Sequence, residues 1–190
     1  FTEQFQRGMT GIERFCEIMD IDPDIEDSHN AENIENVKGD ITFEGNQTIP
    51  GALTVTNKIT VAEGAELTID DKKVKNVTVD NYGTFTIGAN TKYLTAGTIN
   101  NYAEMTIAEE AIVKATINNE AELTIEGKAT AVANTADGEI TMGEEGNLNL
   151  TSNAGLVITE DGAVVDGNNE GGRIEYVAGA KIKTATGIIY

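Results

Sequence analysis

The chain has 190 residues, with 13 Lys+Arg against 32 Asp+Glu and a formal net charge of −19. That balance excludes a nucleic-acid binder or an anionic-membrane binder, because phosphate contacts need clustered Lys and Arg. One Cys (Cys16) excludes an internal disulfide or a Cys-rich metal site, and one His (His29) excludes a multi-His zinc site. There is no Trp, only 2 Pro, and 20 Gly, so a core has to be assembled from small and medium side chains.

Residues 1–20 are predicted to form an amphipathic helix. Phe1, Phe5, Met9, Ile12, Phe15 and Met19 recur at spacings of three or four and make one apolar stripe. Pro23 ends the pattern, since its ring forbids the hydrogen bond to the preceding turn. Residues 21–44 are expected to be an acidic linker with a candidate first strand at its end; DIDPDIEDSHNAENIEN at 20–36 has almost no large apolar residue. No apolar run approaches the roughly 18–20 residues of a membrane span, so no direct span is expected in this chain. The chain starts at Phe1 rather than Met, and a mature form or a fragment is expected.

The opening FTEQFQRGMTGIERFCEIMDIDPDIED, with VKGDITFE at 37–44, resembles the segment of ATP-binding-cassette exporters that joins the last transmembrane helix to the ATPase domain. The resemblance covers 44 of the 190 residues. It implies the cytoplasmic side of the inner membrane, with VKGDITFE as the first strand of an ATPase domain. The family continues into an adenine-stacking aromatic and a GxxxxGK[ST] phosphate loop. Here Gly45 is followed by NQTIPGALTV, and no GxxxxGK[ST] occurs anywhere. A phosphate loop needs those glycines and that Lys, so no ATP site or other cofactor carries over. The reading is a fragment or fusion of an exporter polypeptide without its nucleotide-binding motifs.

Residues 45–190 are expected to form a repeat domain. A five-residue frame recurs as GALTV at 51–55, AELTI at 65–69, GTFTI at 83–87, AEMTI at 103–107, AELTI at 121–125, GEITM at 138–142 and GNLNL at 146–150. Between 65 and 138 its steps are 18, 20, 18 and 17 residues. A second frame precedes it: NVTVDNYG at 76–83, GTINNYA at 97–103 and ATINNEA at 115–121. Alternation with period two marks strands with one buried face, and Gly, Asn and Asp mark the turns between them. Two or three short strands in each repeat indicate an all-β fold, a single parallel β-solenoid (a β-helix, right-handed by preference) of about eight coils. At about 4.8 Å per coil, it would be a rod on the order of 40 Å long.

The columns can be assigned. Leu67, Phe85, Met105, Leu123 and Ile140 stack inside, as do Ile69, Ile87, Ile107, Ile125 and Met142. Gly83, Ala103, Ala121 and Gly138 mark a corner without room for bulk. Asn81, Asn101 and Asn119 align there as a structural ladder, with Asp80, Asn100 and Asn118 beside them and Tyr82 stacked on Tyr102. Outward, Thr68, Thr86, Thr106, Thr124 and Thr141 form one row and Glu66, Thr84, Glu104, Glu122 and Glu139 another. Paired Thr rows resemble those of ice-binding solenoids, but a carboxylate row would disrupt a flat hydroxyl lattice. Glu104, Glu122 and Glu139 are weak cation candidates, since hard cations prefer carboxylate oxygens. No calcium-loop spacing accompanies them, and no metal or catalytic site is assigned.

The repeat wording resembles that of bacterial surface β-helix proteins, such as adhesins and autotransporter passengers. The resemblance implies a non-enzymatic structural or adhesive rod that is extracellular or at the cell surface. Its expected partner is a carbohydrate or a host or cell-surface protein. A carbohydrate-active β-helix enzyme is the third reading: two carboxylates suffice for a glycosidase, but nothing picks out a pair.

Overall fold

A side chain buried on one face and hydrated on the other needs a partner surface for the buried face only. Short Val-, Ile- and Thr-rich strands meet this by winding round a common core. The computed structural model of the protein describes residues 40–49, 58–70, 78–94, 97–184 and 188–189. The predicted helix over 1–20, and the linker up to residue 39, lie outside the described residues.

The described residues form an all-β parallel β-solenoid of about seven turns. One sheet, the threonine sheet, has nine strands: Asn46–Ile49, Glu66–Ile69, Thr84–Ile87, Glu104–Ile107, Glu122–Ile125, Glu139–Met142, Leu156–Thr159, Arg173–Glu175 and Ile188–Ile189. The other, the asparagine sheet, runs from Ile41–Phe43 through Ile59–Val61, Val79–Asn81, Thr98–Asn101 and Thr116–Asn119. It continues through Lys128–Asn134, Asn147–Asn153 and Val164–Gly167 to Lys181–Thr184. Ile41–Phe43, from the VKGDITFE segment, pairs in parallel with Ile59–Val61.

A third strip begins with Lys92–Leu94 and Ile112–Val113. It then merges with the asparagine sheet, because Ile112 and Val113 pair with Lys128 and Ala129 of the seven-residue strand Lys128–Asn134. Within that strand the register slips between Ala129 and Val132. Such an irregularity bends a strand, and here it lets one strand turn the corner between two faces.

Register follows the side-chain pattern residue for residue. Leu67, Phe85, Met105, Leu123, Ile140, Val157 and Ile174 pair in sequence and are all buried. Ile69, Ile87, Ile107, Ile125 and Met142 form the parallel column. From the asparagine sheet come Ile59, Val79, Ile99, Ile117 and Val132, and from the third strip Leu94, Val113, Ala129, Leu148 and Val165. A one-residue slip would carry an entire column to the solvent face, so each column pins the register of its neighbours.

The turns on either side of the threonine sheet are tight, at Gly64 before Glu66–Ile69 and at Glu110 and Gly162 after Glu104–Ile107 and Leu156–Thr159. Gly64 and Gly162 adopt positive φ there, at 75° and 86°. Glu110 holds the same left-handed backbone at 64°, the one non-glycine among the described residues to do so.

Replacing Ile107 by Asp places an unpaired charge in the centre of two stacked columns. We expect a stability loss of at least about 4 kcal/mol, against about 1 kcal/mol for Ile107→Val. Chemical denaturation followed by the circular-dichroism strand band measures both; an unchanged midpoint for the Asp variant would refute the assigned register.

Candidate functional site

The most ordered polar feature is internal. Asn81, Asn101, Asn119, Asn134, Asn153 and Asn169 are all buried at the corner between the two sheets. Each Nδ2 donates to the Oδ1 of the next coil, over 2.7 Å from Asn81 to Asn101 and 2.8 Å each for Asn101 to Asn119, Asn119 to Asn134 and Asn134 to Asn153. The last link, Asn153 to Asn169, is again 2.7 Å. The same amides also donate to backbone carbonyls. Asn101 reaches Ala103 and Glu122, and Asn119 reaches Ala121 and Glu139. The amides thus add a second donor at the corner to carbonyls such as those of Ala103 and Ala121, which also accept an N–H from the next coil.

The spine explains the small residues beside it. A Cβ added at Gly138 would collide with the Asn134 amide oxygen, and one added at Gly172 would strike the Asn153 amide nitrogen. The structure brings Asn81, Asn101 and Asn119 together, and it adds three residues that the repeat wording did not single out: Asn134, Asn153 and Asn169. Asn153 keeps the usual spacing, two residues before Gly155, whereas the signal of the other two is displaced. The first three asparagines precede a small residue by two positions, whereas Asn134 precedes Gly138 by four and Asn169 precedes Gly172 by three. The corner loop absorbs the extra residues and leaves the amide in place.

A second polar row runs outside the same sheet. Asn118 Nδ2 donates to Asn100 Oδ1 and Asn100 Nδ2 to Asp80 Oδ1, both over 2.8 Å, and Lys58 Nζ lies 2.8 Å from Asp80 Oδ2. A carboxylate only accepts, so Asp80 orients this row opposite to the buried spine. Partial burial pushes the Asp80 carboxyl up, but hydrogen bonds from Lys58 and Asn100 and the Lys58 charge outweigh it. The net result holds Asp80 below the ordinary aspartate value. Next to this row Tyr82 and Tyr102 stack with centroids 4.9 Å apart and planes at 12°. They remain 47% and 39% exposed.

On the threonine sheet, Thr68, Thr86, Thr106, Thr124 and Thr141 pair in one half-buried outward row, and Thr48 extends it. Glu104, Glu122 and Glu139 pair in register as an exposed row. Further glutamates, Glu109, Glu126, Glu144, Glu145 and Glu160, line a shallow hollow at the opposite corner. Among the described residues, no three of His, Cys, Asp and Glu converge in a way that could hold a metal ion. At that corner Lys92 Nζ bridges to Glu110 Oε2 at 2.6 Å and donates to its carbonyl over 2.8 Å. The Lys92 hydrogen bond and charge hold the Glu110 carboxyl below its ordinary value. This clamp fixes a backbone conformation that glutamate seldom adopts.

No family model, curated protein or solved structure matches the chain. Among the described residues no helix is long and apolar enough to cross a membrane.

Two tests follow from the amide rows. Asn119→Ala should cost about 2–4 kcal/mol, from one or two buried groups left unsatisfied. Asn119→Asp has nearly the same shape but faces the Asn134, Ala121 and Glu139 oxygens with a group that cannot donate. It should cost more at neutral pH and recover relative to wild type as acid restores a proton. A neutral-pH denaturation midpoint equal to wild type would refute the spine.

Asp80 titrates lower in the folded chain than in the unfolded one. Its contribution is therefore present above the ordinary carboxylate range and is lost as pH falls below about 5 and through the depressed value. Asp80→Asn should flatten that part of the acid limb in melting temperature against pH; an unchanged slope would refute the assignment.

Proposed function

We propose that the chain is a non-catalytic rod that displays its outer faces outside a bacterial cell, with a structural or adhesive role. The observation that carries this reading is the contrast between inside and outside. Inside, the coils repeat the same apolar columns and, from Asn81 to Asn169, the same amide spine. Outside, rows of Thr, Glu and Asn run along the axis at coil spacing, and the glutamates that line one shallow hollow have no base, acid or metal-binding partner set beside them among the described residues. Acid–base catalysis needs two or more groups directed at one reacting atom. Rows that repeat with the coil instead suit an extended contact surface, as in other stacked-repeat proteins. Exposed acidic rows also keep such a rod soluble and separate from its neighbours.

The test is exposure on cells that produce the full gene product. Antibody raised against the folded solenoid should label intact cells as strongly as permeabilised ones. Labelling that appears only after permeabilisation would overturn the extracellular reading.

A further inference from the structure

We propose that Tyr82, Tyr102 and the Asp80–Asn100–Asn118 row form a subsite for a neutral, pyranose-based glycan. This rests on the reading of the rod as a display surface and assigns that surface a ligand class. Three observations support it.

The first is the shape around the ring pair. Backbone N–H groups of Tyr82, Tyr102 and Glu120 bond successive coils at the same place in the corner, to Val61, Asn81 and Asn101 respectively. On the coil before Tyr82 the equivalent residue is Ala62, whose N–H bonds the Phe43 carbonyl. One face of Tyr82 is covered by Tyr102, and on its other side the residue one coil away is Ala62, a short side chain packed against the core. The coils are about 4.8 Å apart, and a ring in contact with Tyr82 would sit about 3.5–4.0 Å from it. The step above Ala62 is therefore as deep as one flat ring. The greater exposure of Tyr82, 47% against 39% for Tyr102, agrees with an open outer face.

The second is the chemistry beside the rings. Asp80 and Tyr82 lie two positions apart and point the same way from the corner. The adjoining column thus offers amide donors, amide acceptors and a carboxylate at coil spacing. The C–H-rich face of a pyranose suits an aromatic ring, and its equatorial hydroxyls suit such a column. An apolar partner laid over the same place would bury Asp80 and two amides without compensation.

The third is charge. Burial first, and then the charges of Glu120, Tyr82 and Asp80, raise the Tyr102 phenol above its ordinary value. Among the described residues the cation beside this corner is Lys58, and Asp80 holds it. An anionic sugar would be repelled here, so the ligand class is neutral.

The experiment titrates the purified chain with cellohexaose, chitohexaose and mannohexaose. It reads tyrosine emission, which no Trp obscures, and binding heat. At least one of the three should bind. Tyr82→Ala should weaken that binding about tenfold or more, and Tyr82→Phe, which keeps the ring, should retain most of it. Asn118→Ala leaves both the ring pair and the buried spine intact and should weaken binding severalfold. Tyr176→Ala removes another exposed tyrosine, 48% accessible and outside this corner, and should change nothing. Binding of none of the three oligosaccharides would overturn the proposal, as would equal binding by wild type, Tyr82→Ala and Asn118→Ala. A concentration-dependent dimer in sedimentation that Tyr82→Ala abolishes would also overturn it and make a second copy the occupant. Binding is measured on purified protein, so its failure is distinct from a failure of cell-surface labelling.

Discussion

A primary amide sealed inside a narrow core has two donors and an acceptor to satisfy, and water cannot reach it to help. In this solenoid the partner of each amide is the same amide one coil further on. Asn119, for example, can be buried only because Asn101 donates to it and Asn134 accepts from it. The requirement propagates: an Asn at one coil fixes the position of the next, and with it the corner, the start of the following strand and its register. Apolar columns forbid a one-residue slip but alone would tolerate a slip of two, since Ile on Ile resembles Ile on Leu. The amide spine does not, because a donor displaced by two residues along its strand no longer faces an amide oxygen.

The outer faces are free to differ because the interior sets the fold. The exposed row Glu104, Glu122, Glu139 places like charges on adjacent strands, which is unfavourable for directly opposed residues. It persists because the side chains are hydrated and can splay, and screening weakens their repulsion. Where a negative group is partly buried, a cation is supplied: Lys58 for Asp80. Lys92 plays a different role, since its partner Glu110 is exposed. It clasps both the carboxylate and the carbonyl of a residue with left-handed backbone, holding a turn that glycine makes elsewhere at Gly64 and Gly162.

Much of this was legible from the residues. The period-two alternation named every member of the two inward columns from Leu67 to Ile140 and from Ile69 to Met142, because strand geometry leaves only two faces to choose between. The turn count came close, at about seven against about eight. The third strip was harder to read. A short apolar segment, AIVKA at 111–115, marks Ile112–Val113, but Lys92–Leu94 has no such signal, and the bend that carries Lys128–Asn134 round the corner leaves no local pattern. Asn134 and Asn169 were hidden for a related reason: their corner loops are longer, so fixed spacing fails where the three-dimensional position does not; Asn153 keeps the spacing, before Gly155, but lies outside the TINN wording of the repeat. Polar partnerships such as Lys58 with Asp80 cross 22 residues of chain and leave no local pattern at all.

The two amide rows show how one sheet can serve structure and recognition together. The buried row runs from Asn81 to Asn169 with its donors directed toward later coils. The exposed row spans only three residues, and its donors are directed the other way, toward the acceptor Asp80. Chain-wide continuity belongs to the inner row because each member needs the next. The outer row can end, since water satisfies Asn118 and whatever follows. Ala133 occupies the next position after Asn118, and Glu120 replaces tyrosine in the aromatic column. The outer surface therefore changes over a few coils while the interior stays constant, and short distinct patches are what a uniform scaffold of this kind can present.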